Sequence, residues 1–305
     1  MGDKGDSPCE TRGMSRRFAQ VDVFGSGPCS GNPVAVVLDT DGLSTEEMQR
    51  FARWTNLSET TFVLPAEGED GDYRVRIFTP ALELPFAGHP TLGTCHAWLE
   101  GGGEPRSAAE IVQECGAGLV RIRRPAARER ASSRIEETSA FSFAAPPLVR
   151  SGPASAEDAA RVTSALGLDP AEVLAVEWVD NGPGWIGVLL ESAERVLELH
   201  PGAVDLDIGV AGFHPPGSEA AIEVRAFFPL AGVTAEDPVT GSLNASLAQW
   251  LLGSGRLAAP YLATQGSAIG RAGRVHVDRD DEGTIWVGGR CETVLSGRAS
   301  FAGSS

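Results

Sequence analysis

The sequence predicts an α/β (α+β) protein of two similar domains, each a curled mixed β-sheet or barrel around a central helix. A chain of 305 residues is long for one core and suits two domains of ordinary size. Each half combines short strands of alternating pattern with one long helix. The chain also repeats itself, since residues 73–80, 88–94 and 114–121 have counterparts at 223–229, 236–242 and 265–271.

The first half is predicted to contain four strands and two helices. Ser44 and Glu47 have the spacing of a capping box, and the helix they start is expected to end near Asn56. A second helix is predicted from Pro90 to Glu100, because proline is favoured at the first helical position and glycines follow the segment. The predicted strands span 19–24, 33–38, 60–64 and 73–78.

The second half is predicted to follow the same order. Its longest helix is expected to begin at Pro238 and to face the core with Leu243, Leu247 and Leu251. The predicted helices span 156–166, 170–176 and 238–252, and the predicted strands span 185–190 and 222–228.

Domain limits follow from composition. Residues 1–17 are rich in glycine, serine and charge and lack the apolar stretch of a secretory signal, so a disordered leader is expected there. A polar stretch bounded by prolines separates an N-terminal domain at 18–138 from a C-terminal domain at 139–305. The segment after about residue 291 is expected to pack back on the N-terminal domain.

Composition excludes several classes of partner. A net charge of −16 would repel nucleic acid, and no apolar window approaches the roughly 20 residues that a membrane span needs. The five cysteines show neither CxxC nor metal-ligand spacing, so reduced thiols in the cytoplasm are expected. No metal, phosphate-loop or nucleophile-elbow motif occurs, so neither a metal nor another cofactor is predicted.

The matched helix starts carry different ionisable groups. His89 in the first half aligns with Asp237 in the second half. In both halves a proline, a glycine and a hydroxyl residue occur at the matching positions that follow. Helix N-termini present unpaired N–H groups and partial positive charge, so two of them in one interdomain cleft would suit a carboxylate ligand. Gly93 and Gly241 would let that ligand approach the backbone. Helix capping by Asp237, and less typically by His89, is the competing interpretation.

Glu59 is a third candidate for acid–base chemistry. It lies between the end of a predicted helix and an apolar strand, where burial would raise its pKa toward neutrality. A solvated loop glutamate is the alternative, and the residues alone leave both interpretations open. His96, on the apolar face of its helix, is interpreted as a core histidine, and Cys115, in a Cys-Gly-Ala-Gly segment that leads into a strand, as structural.

Four segments carry a more specific signal. They are Ser-Gly-Asn-Pro at 30–33, Asn-Leu-Ser-Glu-Thr at 56–60, Phe-Ala-Gly-His-Pro-Thr at 86–91 and Glu-Asp-Pro-Val-Thr-Gly-Ser at 236–242. In these segments, which span nearly everything after the leader, the chain resembles the PhzF (phenazine-biosynthesis) isomerase family of the diaminopimelate-epimerase fold. The resemblance implies two similar α/β domains, a site in the cleft between them, and a homodimer.

The resemblance also implies roles for individual residues. Glu59 would move a proton between carbons of an unsaturated, carboxylate-bearing substrate, while His89 and Asp237 would bind and polarise that substrate. Epimerases of this fold use two cysteines at the helix starts, where this chain has His89 and Asp237, so racemisation by two thiols is disfavoured. The implied substrate contacts are Gly88, Thr91, Gly93, Gly241 and Ser242.

The predicted function is therefore that of a cofactor-independent isomerase. It would transfer a proton and move a double bond on a small unsaturated carboxylate, in the setting of natural-product biosynthesis. Two alternatives stay open. One is an amino-acid epimerase or racemase that uses Glu59 with Asp237 or His89 as a two-base pair, and the other is a non-catalytic protein that binds a small acid.

Overall fold

The computed structural model describes residues 14–108, 110–124, 140–230 and 232–301. The helices are α1 (Thr45–Thr55), α2 (Gly88–Glu100), α3 (Ala156–Leu166), α4 (Ala193–Leu197) and α5 (Gly241–Gly253). The strands are β1 (Met14–Val23), β2 (Asn32–Val37), β3 (Glu59–Leu64), β4 (Tyr73–Phe78), β5 (Glu83–Leu84), β6 (Glu110–Cys115), β7 (Gly118–Arg123), β8 (Ala140–Ala144), β9 (Arg150–Pro153), β10 (Val173–Asp180), β11 (Ile186–Leu190), β12 (Ile208–Phe213), β13 (Ile222–Leu230), β14 (Val233–Glu236), β15 (Tyr261–Gln265), β16 (Gly273–Arg279) and β17 (Ile285–Phe301).

The N-terminal half is a closed barrel around α2. Eight strands pair in the order β1, β2, β3, β4, β6, β7, β8 and β17, and β17 pairs with β1 to close the ring. Leu92 and Cys95 of α2 are fully buried inside it. Gly93 faces the sheet, where a Cβ atom would clash with Val34, so glycine is required here for the helix to pack on the strands.

The C-terminal half is a curled mixed sheet around α5. Its strands pair in the order β9, β10, β11, β12, β13, β15, β16 and β17, with parallel pairs at β11–β12 and β13–β15. Leu243, Leu247 and Leu251 of α5 are fully buried against it, as their helical spacing predicts. The predicted fold class is thereby confirmed.

Strand β17 links the two halves. Its beginning pairs with β16 and β8, and the stretch from Cys291 to Phe301 pairs with β1. The predicted domain boundary at 138/139 and most of the predicted leader lie outside the described residues, so the domain limits stay predictions. The predicted leader is too long, however, because β1 begins at Met14, which pairs with Phe301 of β17.

Both central helices start at a glycine and not at the predicted proline. Helix α2 starts two residues before the predicted position and α5 starts three residues after it. The N-cap residues are Ala87 and Thr240, so the capping interpretation of His89 and Asp237 is wrong. Close packing between the helix starts, described below, sets these positions.

Local signals succeeded for α1 and failed near β10. The Ser44–Glu47 capping box forms, and Asn56 ends α1 in the left-handed conformation. The predicted helix at 170–176 is instead a 3₁₀ turn (Pro170–Glu172) that leads into β10. Pairing of β10 with β9 on one side and β11 on the other overrides the local helical preference.

Candidate active site

The starts of α2 and α5 lie against each other between the two halves. Gly88 and Gly241 are the first residues of these helices, and a Cβ atom added to Gly88 would lie 2.8 Å from the Gly241 Cα. A Cβ atom added to Gly241 would lie 2.9 Å from the Gly88 Cα. Both positions therefore require glycine so that the two backbones can meet. We call this contact the helix junction.

The helix junction brings together the partial positive charges of two helix starts. The N-cap residues Ala87 and Thr240 make no side-chain capping hydrogen bond, and neither helix has an acidic residue in its first turn. Each helix start contributes a partial positive charge from N–H groups that have no partner within the helix. Two such ends placed together are stabilised by a nearby anion, so the junction favours a carboxylate ligand.

Glu59 and His89 meet beside the helix junction. Glu59 is the first residue of β3, and His89 is the second residue of α2. Glu59 Oε2 lies 3.4 Å from His89 Nε2, and the two side chains are 16% and 5% exposed. Neither atom has a hydrogen-bond partner among the described residues. A solvated loop glutamate is therefore not what the structure shows.

Burial makes both groups neutral near pH 7. Loss of solvation, together with the charge of Asp237, raises the pKa of Glu59 to about 8. Loss of solvation lowers the pKa of His89 to about 3, against an opposing hydrogen bond to the Pro33 backbone. At neutral pH the pair consists mainly of a carboxylic acid and an uncharged imidazole.

The hydrogen-bond network assigns the His89 tautomer. The Asn32 amide nitrogen donates to Asp237 Oδ1 at 2.9 Å and to the Val239 carbonyl at 3.0 Å, so both of its hydrogens are used. His89 Nδ1, 3.3 Å from the same nitrogen, therefore receives no hydrogen from it. The hydrogen bond between His89 and the Pro33 backbone, which can only accept, is therefore assigned to Nδ1, because Nε2 has no partner among the described residues. Nε2 is left as an acceptor facing the carboxylic acid.

Asp237 is held by hydrogen bonds from both sides. Its Oδ1 accepts from Asn32, and its Oδ2 accepts from the Thr240 hydroxyl at 2.5 Å. Burial raises the pKa of Asp237, and the hydrogen bonds from Thr240 and Asn32 oppose this change. Its backbone N–H also donates to the Ala226 carbonyl at 3.0 Å. Asp237 is thus a fixed acceptor at the edge of the cluster.

Two residues of this cluster were not predicted. Asn32 lies in the Ser-Gly-Asn-Pro segment, but its bridge to Asp237 and the Val239 carbonyl has no signature in spacing. Gln265, which is 1% exposed, donates to the Thr240 hydroxyl at 2.9 Å and accepts from the Thr240 amide at 3.0 Å. It also donates to the Asp237 carbonyl at 3.2 Å. A glutamine at the end of a strand does not by itself predict such a role.

The predicted substrate contacts divide into two groups. Gly88, Gly241 and Ser242 lie at the helix junction. The Thr91 hydroxyl donates to the Ala87 carbonyl at 2.9 Å and accepts from Gln113 at 3.0 Å. The structure therefore shows Thr91, like Gly93 described above, in contacts within the barrel. The predicted contact of these two residues with substrate has no support from their placement.

The remaining candidate features of the sequence lie outside this cluster. Within it, no group of three or more His, Cys, Asp or Glu residues could hold a metal ion. No helix in the described ranges is long and apolar enough to cross a membrane. Cys115 is a free thiol at the end of β6, and burial raises its pKa. His96 lies in the core, with its ring 6.1 Å from that of Phe141.

Sequence comparison identifies the chain as an isomerase. It belongs to the phenazine biosynthesis-like protein family (PhzC-PhzF), whose model matches residues 21–297. A relative from Pseudomonas aeruginosa, trans-2,3-dihydro-3-hydroxyanthranilate isomerase, is 38% identical over 93% of this chain and 99% of its own. Antisense-enhancing sequence 1 from Schizosaccharomyces pombe is 36% identical over 92% of this chain and 98% of its own.

Solved structures agree on the fold. A PhzF family protein from Bacillus anthracis has a TM-score of 0.75 at 24% identity, and covers 94% of this chain and 99% of its own. A hydroxyproline epimerase from Agrobacterium vitis has a TM-score of 0.57 at 13% identity, with 94% and 93% of the two chains covered. The architecture is thus shared by a PhzF family protein and by a hydroxyproline epimerase.

Proposed function

We propose that this chain moves a proton, and with it a double bond, on a small unsaturated carboxylate, with Glu59 as the proton carrier. The observation that carries the proposal is the 3.4 Å contact between the buried side chains of Glu59 and His89 beside the helix junction. A pKa of about 8 lies near working pH, where a group both accepts and returns a proton efficiently. No cofactor takes part in the proposed reaction.

The proposed reaction conserves all atoms and electrons. The helix junction binds the substrate carboxylate, and ionised Glu59 takes a proton from a carbon next to the conjugated system. The electron pair of the broken C–H bond enters the π system and shifts the double bond. Glu59 then returns the same proton to a carbon further along, so substrate and product are isomers. His89 and Asp237 orient polar groups of the substrate.

The relatives supply a first compound to test. The Pseudomonas aeruginosa relative is named for trans-2,3-dihydro-3-hydroxyanthranilate, which carries a carboxylate on a partly unsaturated ring. Such a molecule combines the anion that the helix junction favours with a carbon acid for Glu59. We propose this class of cyclic unsaturated acids as substrate.

The two-base epimerase is the weaker candidate. Both carboxylate oxygens of Asp237 are already acceptors for Asn32 and Thr240, which opposes its use as a second proton carrier. Turnover in deuterium oxide separates the two reactions. One-base isomerisation moves a double bond, whereas epimerisation introduces deuterium at a stereocentre and leaves every double bond in place.

The Glu59→Gln variant tests the proposal. It keeps the size of the side chain but cannot accept a proton, so kcat on trans-2,3-dihydro-3-hydroxyanthranilate should fall about 10²–10⁴-fold. Glu69→Gln is the matched control, because Glu69 is exposed on a loop and should leave kcat unchanged. Circular dichroism should show the same fold for both variants. Turnover of Glu59→Gln at the wild-type rate would overturn the assignment.

The biological setting remains a set of predictions. The homodimer, the cytoplasmic location and the link to natural-product biosynthesis are implied by the family resemblance. Light scattering of the purified protein would test the first of these. A folded protein that binds small acids but turns over no unsaturated acid would instead favour the non-catalytic alternative.

A further inference from the structure

The loop between β10 and β11 holds the first turn of α5 through two buried hydrogen bonds. Asn181 Nδ2 donates to the Ser242 carbonyl at 2.9 Å, and Trp185 Nε1 donates to the Ser242 hydroxyl at 3.1 Å. All three residues are less than a tenth exposed. Asn181 Oδ1 is buried without a partner among the described residues. The loop therefore fixes Ser242 and leaves an unused buried acceptor on Asn181.

The bond from Trp185 is not a general result of burying tryptophan. Trp178 and Trp250 lie in the same half and are 8% and 7% exposed. Their indole nitrogens have no hydrogen-bond partner among the described residues. Trp185, at 5% exposed, instead directs its N–H to a hydroxyl at the helix junction. This difference points to a specific role for the indole N–H.

The bond also determines what the Ser242 hydroxyl can do. A hydroxyl has one hydrogen to donate, and an indole nitrogen can donate but cannot accept. The Ser242 oxygen therefore accepts from Trp185, and its own hydrogen must point elsewhere. Among the described residues, no acceptor receives that hydrogen. The hydroxyl is thus a free donor at the positively charged start of α5.

We propose, building on the proposed function, that Trp185 is a positioning residue that makes the Ser242 hydroxyl an obligate donor to the substrate carboxylate. The N–H groups at the start of α5 are also donors, so this end of the site offers hydrogens to an acceptor ligand. A carboxylate satisfies them with charge, whereas an uncharged amide brings hydrogens of its own. The site therefore selects a carboxylate over the matching amide.

Calorimetric titration of the whole protein with anthranilate and with anthranilamide tests this selection. Trp185→Phe keeps an aromatic ring but removes the N–H, so the Ser242 hydroxyl is free to rotate. Anthranilate should bind about three- to tenfold more weakly, the size expected for one lost hydrogen bond, while anthranilamide binding changes little. In turnover assays the same variant should raise KM and leave kcat nearly unchanged. Trp178→Phe is the matched control and should change neither affinity.

A double-mutant cycle with Ser242→Ala shows whether Trp185 acts through Ser242. Once the hydroxyl is gone, adding Trp185→Phe should cause no further loss of anthranilate affinity. Additive losses, equal weakening of both probes, or failure of anthranilate to bind wild type at millimolar concentration would overturn the proposal. Calorimetry needs no turnover, so these results remain interpretable even if Glu59→Gln proves fully active.

Discussion

The starts of α2 and α5 are chemically different, although a repeated sequence pattern produces both. On the α2 side, Glu59 Oε2 and His89 Nε2 are buried and have no hydrogen-bond partner among the described residues. On the α5 side, both carboxylate oxygens of Asp237 accept hydrogen bonds, from Asn32 and Thr240. One side thus supplies a group that is free to exchange a proton, and the other supplies a group that is held in place.

A buried glutamine supports each side in a different way. Gln113 accepts from the Tyr73 hydroxyl and donates to Thr91, both at 3.0 Å, inside the barrel. Gln265 instead bonds Thr240 and the backbone of the loop that carries Asp237. The first glutamine therefore stabilises the fold, whereas the second orients part of the site.

Among the variants that test this difference between the two helix starts, Asp237→Asn should lower kcat/KM the most. Its NH₂ group would face one of the two donors, Asn32 or Thr240, that now serve the carboxylate, so kcat/KM should fall about 100-fold. The charge of Asp237 helps to raise the pKa of Glu59, and its removal should lower that pKa from about 8. Because ionised Glu59 is the base, kcat/KM rises with pH up to this pKa. The increase of kcat/KM with pH should therefore occur at lower pH in this variant. Measurement of kcat/KM over a range of about pH 5–10 checks this.

The control for this variant is Asp70→Asn on an exposed loop, which should keep both the rate and the pH profile. If Asp237→Asn lowered the rate without moving the profile, the charge coupling between the two halves would be refuted. A kcat/KM within about twofold of wild type would refute the role of Asp237 as a fixed hydrogen-bond acceptor in the site.

The two glutamines offer a smaller and sharper test. Gln265→Leu should lower kcat/KM about tenfold, because Thr240 and the Asp237 loop lose their shared partner. Gln113→Leu should leave kcat/KM within about twofold but lower the free energy of unfolding by about 1–3 kcal/mol, since buried hydroxyl groups lose a partner. Urea unfolding and steady-state kinetics on both variants measure this contrast. Equal kinetic losses in the two variants would show that both glutamines are only structural.

Local signals in the sequence predicted much of the fold. The α1 capping box depends on residues three apart, so Ser44 and Glu47 are sufficient to place that helix start. The start of α5 depends on contact between Gly88 and Gly241, which are far apart in the chain. The preference of proline for the first helical position therefore predicted the start of α5 at the wrong residue. Likewise β10 is a strand because two partners pair with it, which no local window shows.

The sequence pointed to three residues of the candidate site but not to their chemistry. Repetition pointed to His89 and Asp237, and position before an apolar strand pointed to Glu59, which the family resemblance made the first choice. Their protonation depends on burial and on contacts with Asn32 and Pro33, which one sequence does not reveal. The support from Gln265 crosses from a strand end to a helix start, so no spacing rule identifies it.

The most direct test of the account is a pH titration of the Glu59 carboxyl group by carbon-13 NMR. Protein labelled at the glutamate side-chain carboxyl carbons would be titrated, and the signal missing from Glu59→Gln would identify the residue. The account predicts a midpoint near 8, because Glu59 is buried close to the charge of Asp237. A midpoint near the ordinary value of 4.5 would show that Glu59 is ionised and solvated at neutral pH, which contradicts the central claim.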